Sequence, residues 1–429
     1  MPREFDVRLD LIVAKDVLFI SYFTGIRGMV MAEWADDKIR VLESLKVKTI
    51  VITGISSGAT NTEFITYIKV PPLSWREFKF ERTQVQDHSI WLKMIIGLYF
   101  PIAVSIGRVF DLMSRKIITT NNPARWSWVF SAFPIAVYLR TRHRIRKIFA
   151  TGGALSGQLL ACLLDPRGDR EIYLEFQDPI VGNEIIRTNT NDRLMNRLES
   201  YLFRKSTKSF FVTRTAALSA SARHPKMVNK ITWMYPGAWK FQPAPHKLDH
   251  KSKTMSLVHL GTLYGSRNMD NLFTAIENLE FNNQLQGKEI KVTNMGAMYL
   301  ENNQEYLTRH YFTQFTEIKR TEALQIASKA DFLLLLQHKD DRSLETIPYK
   351  TYDYLNLELP ILGVTNNPEL DELIQNHGGI VADANSVSSI QDALTKLISD
   401  PQHSKQANPW PVLDIKQQFM TLLNLEVHK

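Results

Sequence analysis

The chain has 429 residues, which is too long for one hydrophobic core and predicts two or three domains. Apolar residues make up 44% of it and charged residues 22%, proportions that exclude wholesale disorder, a collagen-like repeat and a protein with many membrane spans. The net charge of +8 is unevenly placed: residues 1–240 carry 35 Lys and Arg against 21 Asp and Glu, and residues 241–429 carry 17 against 23. Halves of opposite charge are expected to have different partners.

In the first half, short apolar runs alternate with segments long enough for helices, which predicts an α/β architecture with mostly parallel sheets. A glycine-bearing loop follows the first run, and a helix is predicted near Met31–Leu45. The predicted strands are Val17–Tyr22, Lys48–Thr53, Lys147–Thr151, Glu171–Phe176 and Lys208–Thr213.

Two uncharged stretches, Met94–Gly107 and Trp126–Leu139, interrupt this alternation. Each has 14 residues, fewer than the ~20 that span a bilayer as a helix. Residues 101–150 contain nine cations and one acid, so aromatic side chains lie beside many positive charges. The stretches are therefore either helices that lie on an anionic membrane surface or helices packed in the N-terminal domain. No recognised nucleic-acid-binding motif accompanies the cations, so no nucleic-acid partner is expected.

The best linker is Tyr235–Lys253, which is rich in Pro, Gly and Lys. Beyond it the alternation restarts, with a helix predicted at Met269–Glu280 and a terminal helix at Trp410–Leu425. The predicted strands of this half are Ser256–Leu260, Glu289–Asn294, Asp331–Leu336, Pro360–Val364 and Gly379–Asp383.

This pattern predicts an N-terminal domain over residues 1–240, a second domain over 241–409, and a terminal helix over 410–429 that could cross back to the N-terminal domain. Both domains are expected to be doubly wound. Ligand sites are then expected at the carboxyl ends of the strands and in the cleft between domains.

The segment Ser343–Val364 carries the sharpest functional signal. A strand ends before it, and a helix is predicted to begin near Pro348, since proline is well tolerated in the first turn. Unpaired amides and the helix dipole make such an end a phosphate site. Lys350 has the wrong sign for that dipole unless an anion binds beside it; the alternative is an i, i+3 ion pair with Asp353.

Within this segment seven residues separate Glu345 from Asp353, and Tyr-Leu at 354–355 and Pro-Ile-Leu at 360–362 follow. The window resembles the nucleotide-sugar site of family 4-like retaining glycosyltransferases, which have the GT-B fold of two Rossmann-like doubly wound domains facing across a cleft. The resemblance implies that Glu345 contacts the transferred sugar and that Asp353 accepts hydrogen bonds from the ribose hydroxyls. Asp353 stands where the family usually has Glu. The residues implied to hold the diphosphate are Thr346, Ile347, Pro348, Tyr349 and Lys350.

A second window, Leu257–Ile276, resembles the strand, glycine loop and helix that hold the donor phosphates in this family. It contains Gly261, Gly265 and Arg267. The family usually has an arginine directly after the first glycine, where this chain has Thr262, so only one of the two cations is kept; Lys350 is expected to supply the other charge. By itself the window also fits an ordinary turn with a surface arginine.

The acceptor side is implied to lie in the N-terminal half, at Gly25, Gly28, Gly153 and Asp178. The segment TGGALSG also suggests a dinucleotide-binding loop, but Ala154 replaces a required glycine, so this interpretation is rejected.

The resemblance implies a retaining hexosyl transfer in which the donor phosphate takes the acceptor proton. Arg267, Lys350 and helix amides would stabilise the departing diphosphate with Glu345 on the sugar. No acidic pair sits in an obvious metal-binding loop, since Asp340 and Asp341 are adjacent, so we expect a metal-independent site with a nucleotide sugar as co-substrate.

The single cysteine, Cys162, predicts a reducing compartment, and the charged N-terminus lacks the apolar stretch of a signal peptide. A cytoplasmic enzyme of cell-surface polysaccharide or glycolipid synthesis is predicted, with a saccharide or lipid-linked acceptor and peripheral contact at the inner face of the cell membrane. The alternatives are a GT-B nucleotide-sugar epimerase and a non-catalytic module that binds a sugar nucleotide or a membrane.

Overall fold

The computed structural model describes residues 17–26, 29–70, 72, 105–107, 109, 112–113, 125–181, 189–238, 253–301, 303–316, 318–399 and 410–423. The chain divides into two compact units. Unit 1 comprises Met1–Phe211, Ala217–Trp233 and Phe419–Lys429, and unit 2 comprises Val212–Ala216 and Met234–Gln418.

Unit 1 is built on a parallel sheet of seven strands in the order β5-β3-β1-β6-β7-β8-β9. The strands are β1 Val17–Ser21, β2 Phe23–Thr24, β3 Thr49–Thr53, β4 Ile55–Ser56, β5 Ile65–Lys69, β6 Lys147–Thr151, β7 Glu171–Phe176, β8 Lys208–Phe211 and β9 Ile231–Trp233; β2 pairs only with β4. The helices are α1 Val30–Ser44, α2 Trp128–Arg142, α3 Ser156–Leu163, α4 Asn189–Lys205 and α5 Arg214–Arg223, with a 3-10 turn at Pro225–Lys230. The first three residues of α5 belong to unit 2.

The core of unit 1 lies on both faces of the central strands. Every residue of β1 is buried, and the rings of Phe19 and Phe149 stack at 5.3 Å from paired positions on β1 and β6. Phe419 packs edge-on against Phe149 at 5.0 Å. Parallel strands that are covered on both faces need continuous apolar sequence, which is why β1 and β6 are recognisable in the sequence.

Unit 2 contains a six-stranded parallel sheet in the order β14-β12-β10-β15-β16-β17. Its strands are β10 Thr254–Leu260, β11 Leu263–Tyr264, β12 Glu289–Met295, β13 Met298–Tyr299, β14 Phe312–Phe315, β15 Phe332–Leu336, β16 Ile361–Thr365 and β17 Ile380–Asp383. Its helices are α6 Asp270–Phe281, α7 Asn303–Leu307, α8 Arg320–Ala327, α9 Lys350–Leu357, α10 Pro368–Asn376, α11 Val387–Ser399 and α12 Trp410–Leu413; α13 is Ile415–Leu423, and a 3-10 turn lies at Asp341–Ser343. The strand order reverses between β10 and β15, so a ligand site is expected at the carboxyl ends of these two strands.

The α/β prediction with two parallel sheets is confirmed. Three strands of the two main sheets, β5, β9 and β14, are absent from the sequence interpretation because they are short or carry exposed polar positions at the sheet edge. The two-residue strands β2, β4, β11 and β13 are too short to be recognised. The predicted terminal helix is divided at Asp414 into α12 and α13.

The stretch Met94–Gly107 lies outside the described residues except at 105–107. In the described part of the chain, no helix has both the length and the apolar character that crossing a bilayer requires.

Candidate functional site

The predicted donor residues of unit 2 follow two neighbouring strands. Gly261 comes directly after β10, and the loop to α9 begins at Gln337, directly after β15. Gly261 donates its N–H to the carbonyl of Met295 at 2.7 Å, which ties this loop to the end of β12. The two windows that the sequence singled out therefore meet at the strand-order reversal.

Lys350 is the first residue of α9 and reaches back toward β10. Its Nζ makes a hydrogen bond with His259 Nε2, and it lies 3.2 Å from the position that a Cβ on Gly261 would take. His259 is fully buried. Burial and the nearby charge of Arg267 lower the pKa of Lys350 well below its ordinary value. Burial, followed by the charge of Lys350, likewise lowers the pKa of His259.

Arg267 follows the glycine loop and lies close enough to influence Lys350. Its guanidinium donates to Gln337 Oε1 at 2.9 Å and lies over the Tyr264 ring at 5.3 Å. Within the described residues Lys350 forms no ion pair with a carboxylate. Positive charge is therefore gathered at a site where it is desolvated, an arrangement that a bound anion would stabilise.

Asp353 lies one turn along α9, and its partner is Arg320 on α8. The two form a bidentate pair, with Nη2 to Oδ1 at 2.6 Å and Nε to Oδ2 at 3.2 Å. The Arg320 guanidinium also lies 5.1 Å from the centre of the Tyr349 ring. The alternative ion pair between Lys350 and Asp353 is thus not formed. A ribose hydroxyl at Asp353 would share the carboxylate with Arg320.

Glu345 lies in the half-buried loop between β15 and α9. Its carbonyl accepts a hydrogen bond from Thr213 Oγ1 at 2.8 Å. Asn367 Nδ2 donates to the carbonyls of Ser343 and Thr346 at 2.6 and 2.9 Å. These bonds fix the backbone on either side of Glu345.

The helix α9 begins two residues later than the sequence suggests, at Lys350. Pro348 instead accepts a hydrogen bond from Thr351 N at 2.9 Å, which closes a tight first turn. The side chain of Tyr349, the residue before the helix, makes no capping hydrogen bond. The helix dipole gives this end of α9 a partial positive charge. Ile347 and Tyr349 are buried in the same turn.

Several residues that organise the site were missed by sequence reasoning. Gln337 holds Arg267 through Oε1 and the carbonyl of Thr346 through Nε2, at 2.9 Å each. Tyr354 accepts from Leu260 N at 2.7 Å, which links α9 to the end of β10. The only signal for Gln337 and His259 is a polar side chain at the end of an otherwise apolar strand.

Three of the four predicted acceptor-side residues, Gly25, Gly153 and Asp178, lie in unit 1 at the carboxyl edge of its sheet. Gly153 follows β6 and is buried, whereas Asp178 follows β7 and is half-buried. The N–H of Gly25 donates to both carboxylate oxygens of Asp36 at 2.9 Å, and burial raises the pKa of Asp36 to about 6. Gly28 lies outside the described residues.

Clusters of three or more His, Cys, Asp or Glu side chains able to hold a metal ion do not occur among the described residues. Cys162 is buried, and burial raises the pKa of its thiol to about 12.

No protein-family model and no curated protein matches the sequence. Solved structures do match over nearly the whole chain. HepE of Anabaena, in complex with UDP and glucose, is 11% identical with a TM-score of 0.57 over 96% of this chain and 99% of that one. Sucrose-phosphate synthase of Thermosynechococcus elongatus is 11% identical with a TM-score of 0.61 over 96% and 98%. The UDP-forming α,α-trehalose-phosphate synthase of Burkholderia xenovorans, in complex with glucose-6-phosphate, is 10% identical with a TM-score of 0.60 over 96% and 100%.

These likenesses establish the fold. The chain has the GT-B fold of two Rossmann-like doubly wound α/β domains, as the sequence predicts.

Proposed function

We propose that this protein is a glycosyltransferase that moves a hexose from a nucleotide sugar to a saccharide or lipid-linked acceptor with retention of configuration. The observation that carries the proposal is the pair of cations, Lys350 and Arg267, at the carboxyl end of β10 beside the first turn of α9. The negative charge of a nucleoside diphosphate complements these cations. The fold neighbours bound to UDP or named as UDP-forming support the same class of donor.

The proposed reaction forms the bond between the acceptor oxygen and the anomeric carbon as the bond to the diphosphate breaks. The electron pair of that bond leaves with the diphosphate, so negative charge grows beside Lys350 and Arg267. Preorganised donors at such a position stabilise the transition state because they need no reorganisation during the reaction. The departing phosphate oxygen takes the acceptor proton, Glu345 orients the sugar, and Asp353 accepts from the ribose. No metal is assigned to this mechanism.

The acceptor proposal draws on the surface of α2 in unit 1. One face of α2 is in the core, where Trp128 donates to the carbonyl of Val70 at 3.0 Å. The other face is also apolar: Phe130 and Tyr138 are each 60% exposed and Phe133 is 37% exposed. One side of α2 thus packs in the core, and the exposed aromatic rings on its other side support the proposed membrane contact.

Positively charged side chains lie at the end of α2 and directly after it. Arg142, Arg144 and Arg146 are exposed, whereas Arg140 donates to the carbonyl of Leu164. Exposed aromatic rings beside arginines match the apolar and anionic layers of a lipid surface. We therefore propose peripheral contact with the inner face of the cell membrane and a role in cell-surface polysaccharide or glycolipid synthesis.

The membrane contact is tested by sedimentation with phosphatidylglycerol vesicles and with phosphatidylcholine vesicles at low salt. We expect binding to the anionic vesicles alone and its loss when Arg142, Arg144 and Arg146 become Gln or when Phe130 and Tyr138 become Ser. The matched control is Phe281→Ser, since Phe281 is 88% exposed in unit 2. Equal binding by all variants would contradict this surface.

The catalytic proposal is tested by incubating the protein with UDP-, GDP- and dTDP-sugars and measuring products. A transferase releases nucleoside diphosphate by slow hydrolysis and faster with a suitable acceptor. An epimerase yields an isomer with the diphosphate intact, and a binding module yields no product. Either of the last two results would overturn the proposed function.

A further inference from the structure

Three polar side chains lie side by side across the interior of the unit 2 sheet. His259, Asn294 and Gln314 occupy paired positions on the adjacent strands β10, β12 and β14, so they project from the same face. His259 and Asn294 are fully buried, and Gln314 is half-buried at the sheet edge. We call these three residues the polar ladder.

Hydrogen bonds join the ladder from end to end. Asn294 Nδ2 and Gln314 Oε1 are 2.8 Å apart, and Asn294 Oδ1 and His259 Nδ1 are 2.6 Å apart. His259 Nε2 then meets Lys350 Nζ. At its other end, Gln314 donates to the carbonyl of Gly296. The chain of bonds thus runs from the loop after β12 to the lysine of the proposed phosphate site.

The direction of these bonds follows from the chemistry of their members. An amide oxygen can only accept, so His259 Nδ1 carries the proton that is donated to Asn294 Oδ1. A neutral imidazole with its proton on Nδ1 accepts through Nε2, so Lys350 Nζ donates to it, whether as an ammonium or as an amine. Asn294 can offer this oxygen because its amide nitrogen is turned toward Gln314. Each bond therefore fixes the orientation of the next side chain.

We propose that the polar ladder is the positioning device of Lys350: it holds His259 in the Nδ1–H tautomer, and His259 Nε2 directs the ammonium toward the phosphate position beside Gly261. This inference rests on the proposed function for the identity of the ligand. Its geometry is independent of that ligand. Because Lys350 has four rotatable side-chain bonds, an acceptor that restrains it lowers the cost of ordering it when the anion binds.

The first experiment determines the tautomer of His259 in the absence of any ligand. Nitrogen-15 spectra of the imidazole side chains at neutral pH should show His259 as the neutral Nδ1–H tautomer. In the double variant Asn294→Leu/Lys350→Met, which removes both hydrogen-bond partners of the ring, the Nε2–H tautomer should appear. An imidazolium or an Nε2–H tautomer at His259 in the unaltered protein would overturn the inference whether or not the protein is a transferase.

The second experiment measures UDP affinity by calorimetry for the unaltered protein and for His259→Phe, His259→Gln and Lys350→Met. Hydrogen bonds to charged groups are strong. The loss of the His259 acceptor in His259→Phe should therefore weaken UDP binding roughly tenfold or more. His259→Gln, whose carbonyl oxygen can accept from Lys350, should restore part of the loss. Unchanged affinity in a folded His259→Phe, alongside a loss in Lys350→Met, would contradict the positioning role.

The matched control is His377→Phe, which also removes a buried histidine of unit 2. His377 Nδ1 contacts the carbonyl of Leu373 at the end of α10. We expect this variant to keep its UDP affinity while losing comparable stability. If no form of the protein binds a nucleoside diphosphate, the proposed function fails. The tautomer measurement then still tests the hydrogen bonds of the polar ladder.

Discussion

Gly296 lies against the backbone of Gly261 with no space for a side chain between them. A Cβ on Gly296 would lie 2.4 Å from the carbonyl carbon and oxygen of Gly261, and the φ angle of Gly296 is +152°. The loops after β10 and β12 therefore touch backbone to backbone at the edge of the proposed donor site. We expect this close contact to limit how near a diphosphate can come to the amides of the Gly261 loop.

The first prediction concerns this approach. Gly296→Ala must displace backbone rather than a flexible side chain, so we expect UDP affinity to fall at least about tenfold, with a loss of stability of roughly 2–4 kcal/mol. Calorimetry and urea unfolding measure both quantities. The control is Gly287→Ala, where a Cβ meets nothing within 4 Å and only the φ of +77° is strained. Equal effects of the two changes would show that the contact with Gly261 is unimportant.

The second prediction is that Lys350→Met stabilises the protein while it abolishes tight donor binding. Lys350 is desolvated beside Arg267, so its charged form costs free energy that methionine does not incur. Methionine also leaves the buried His259 Nε2 without its donor, which offsets part of this cost, so we expect a net gain of roughly 1–2 kcal/mol in the free energy of unfolding. Because the folded pKa is lowered, the gain should be largest at low pH and should vanish above the ordinary lysine pKa of about 10.5. A less stable variant across the whole range would argue against an uncompensated charge.

The third prediction concerns Glu345. We expect Glu345→Ala to reduce turnover at least about a hundredfold, because the sugar loses a contact made at the reacting centre. Stability should change little, since the bond from Thr213 is to the backbone carbonyl. Turnover of a nucleotide sugar and thermal unfolding are compared with those of Glu358→Ala, a change at the exposed end of α9. Full activity in Glu345→Ala would remove this residue from the proposed site.

The fourth prediction concerns Glu369, a buried carboxylate in the first turn of α10. It accepts from the backbone N–H groups of Arg214 and Thr215, from Thr215 Oγ1 and from Tyr235 OH, at 2.6 to 2.9 Å. Glu369→Ala leaves these donors without their acceptor and should cost roughly 2–4 kcal/mol.

The matched control for Glu369 is Glu372→Ala on the same helix. Glu372 forms an ion pair with Arg214 in which both side chains are exposed, so its loss should cost less than about 1 kcal/mol. Urea unfolding distinguishes the two. Similar losses of stability in the two variants would mean that the buried Glu369 carboxylate contributes no more than the exposed Glu372 carboxylate.

The fifth prediction is a pH dependence that originates at Asp36. Its pKa is raised from 3.8 to about 6, chiefly by burial. Asp36 therefore ionises at a lower pH in the unfolded chain than in the folded protein. Stability is therefore lost as pH rises from about 4 to about 6, by roughly 1–3 kcal/mol. Asp36→Asn keeps an acceptor for Gly25 N–H and should abolish this part of the dependence. Thermal unfolding of the unaltered protein and of Asp36→Asn at several pH values tests this prediction. A difference in stability between the two that does not change with pH would contradict it.

The architecture is largely determined by the local sequence. The bounds of β6 and β7 follow from the apolar runs themselves, because parallel strands with both faces buried cannot include many polar residues. The loops with Gly261 and Glu345 are also recognisable, since glycine and proline restrict the backbone locally. Edge strands such as β14 are not recognisable in the sequence, because their partly exposed residues resemble those of loops.

The partners of the site residues were decided by tertiary structure alone. Lys350 and Asp353 are one helical turn apart, and the sequence offers an ion pair between them; in the fold, Lys350 meets His259 and Asp353 meets Arg320. Side-chain partners depend on strand order and register, which bring residues from distant parts of the chain to the same edge of a sheet. Sequence alone therefore determined two α/β halves and the segments of the proposed phosphate site, whereas the packing of β10, β12, β14 and α9 decided which side chains meet there.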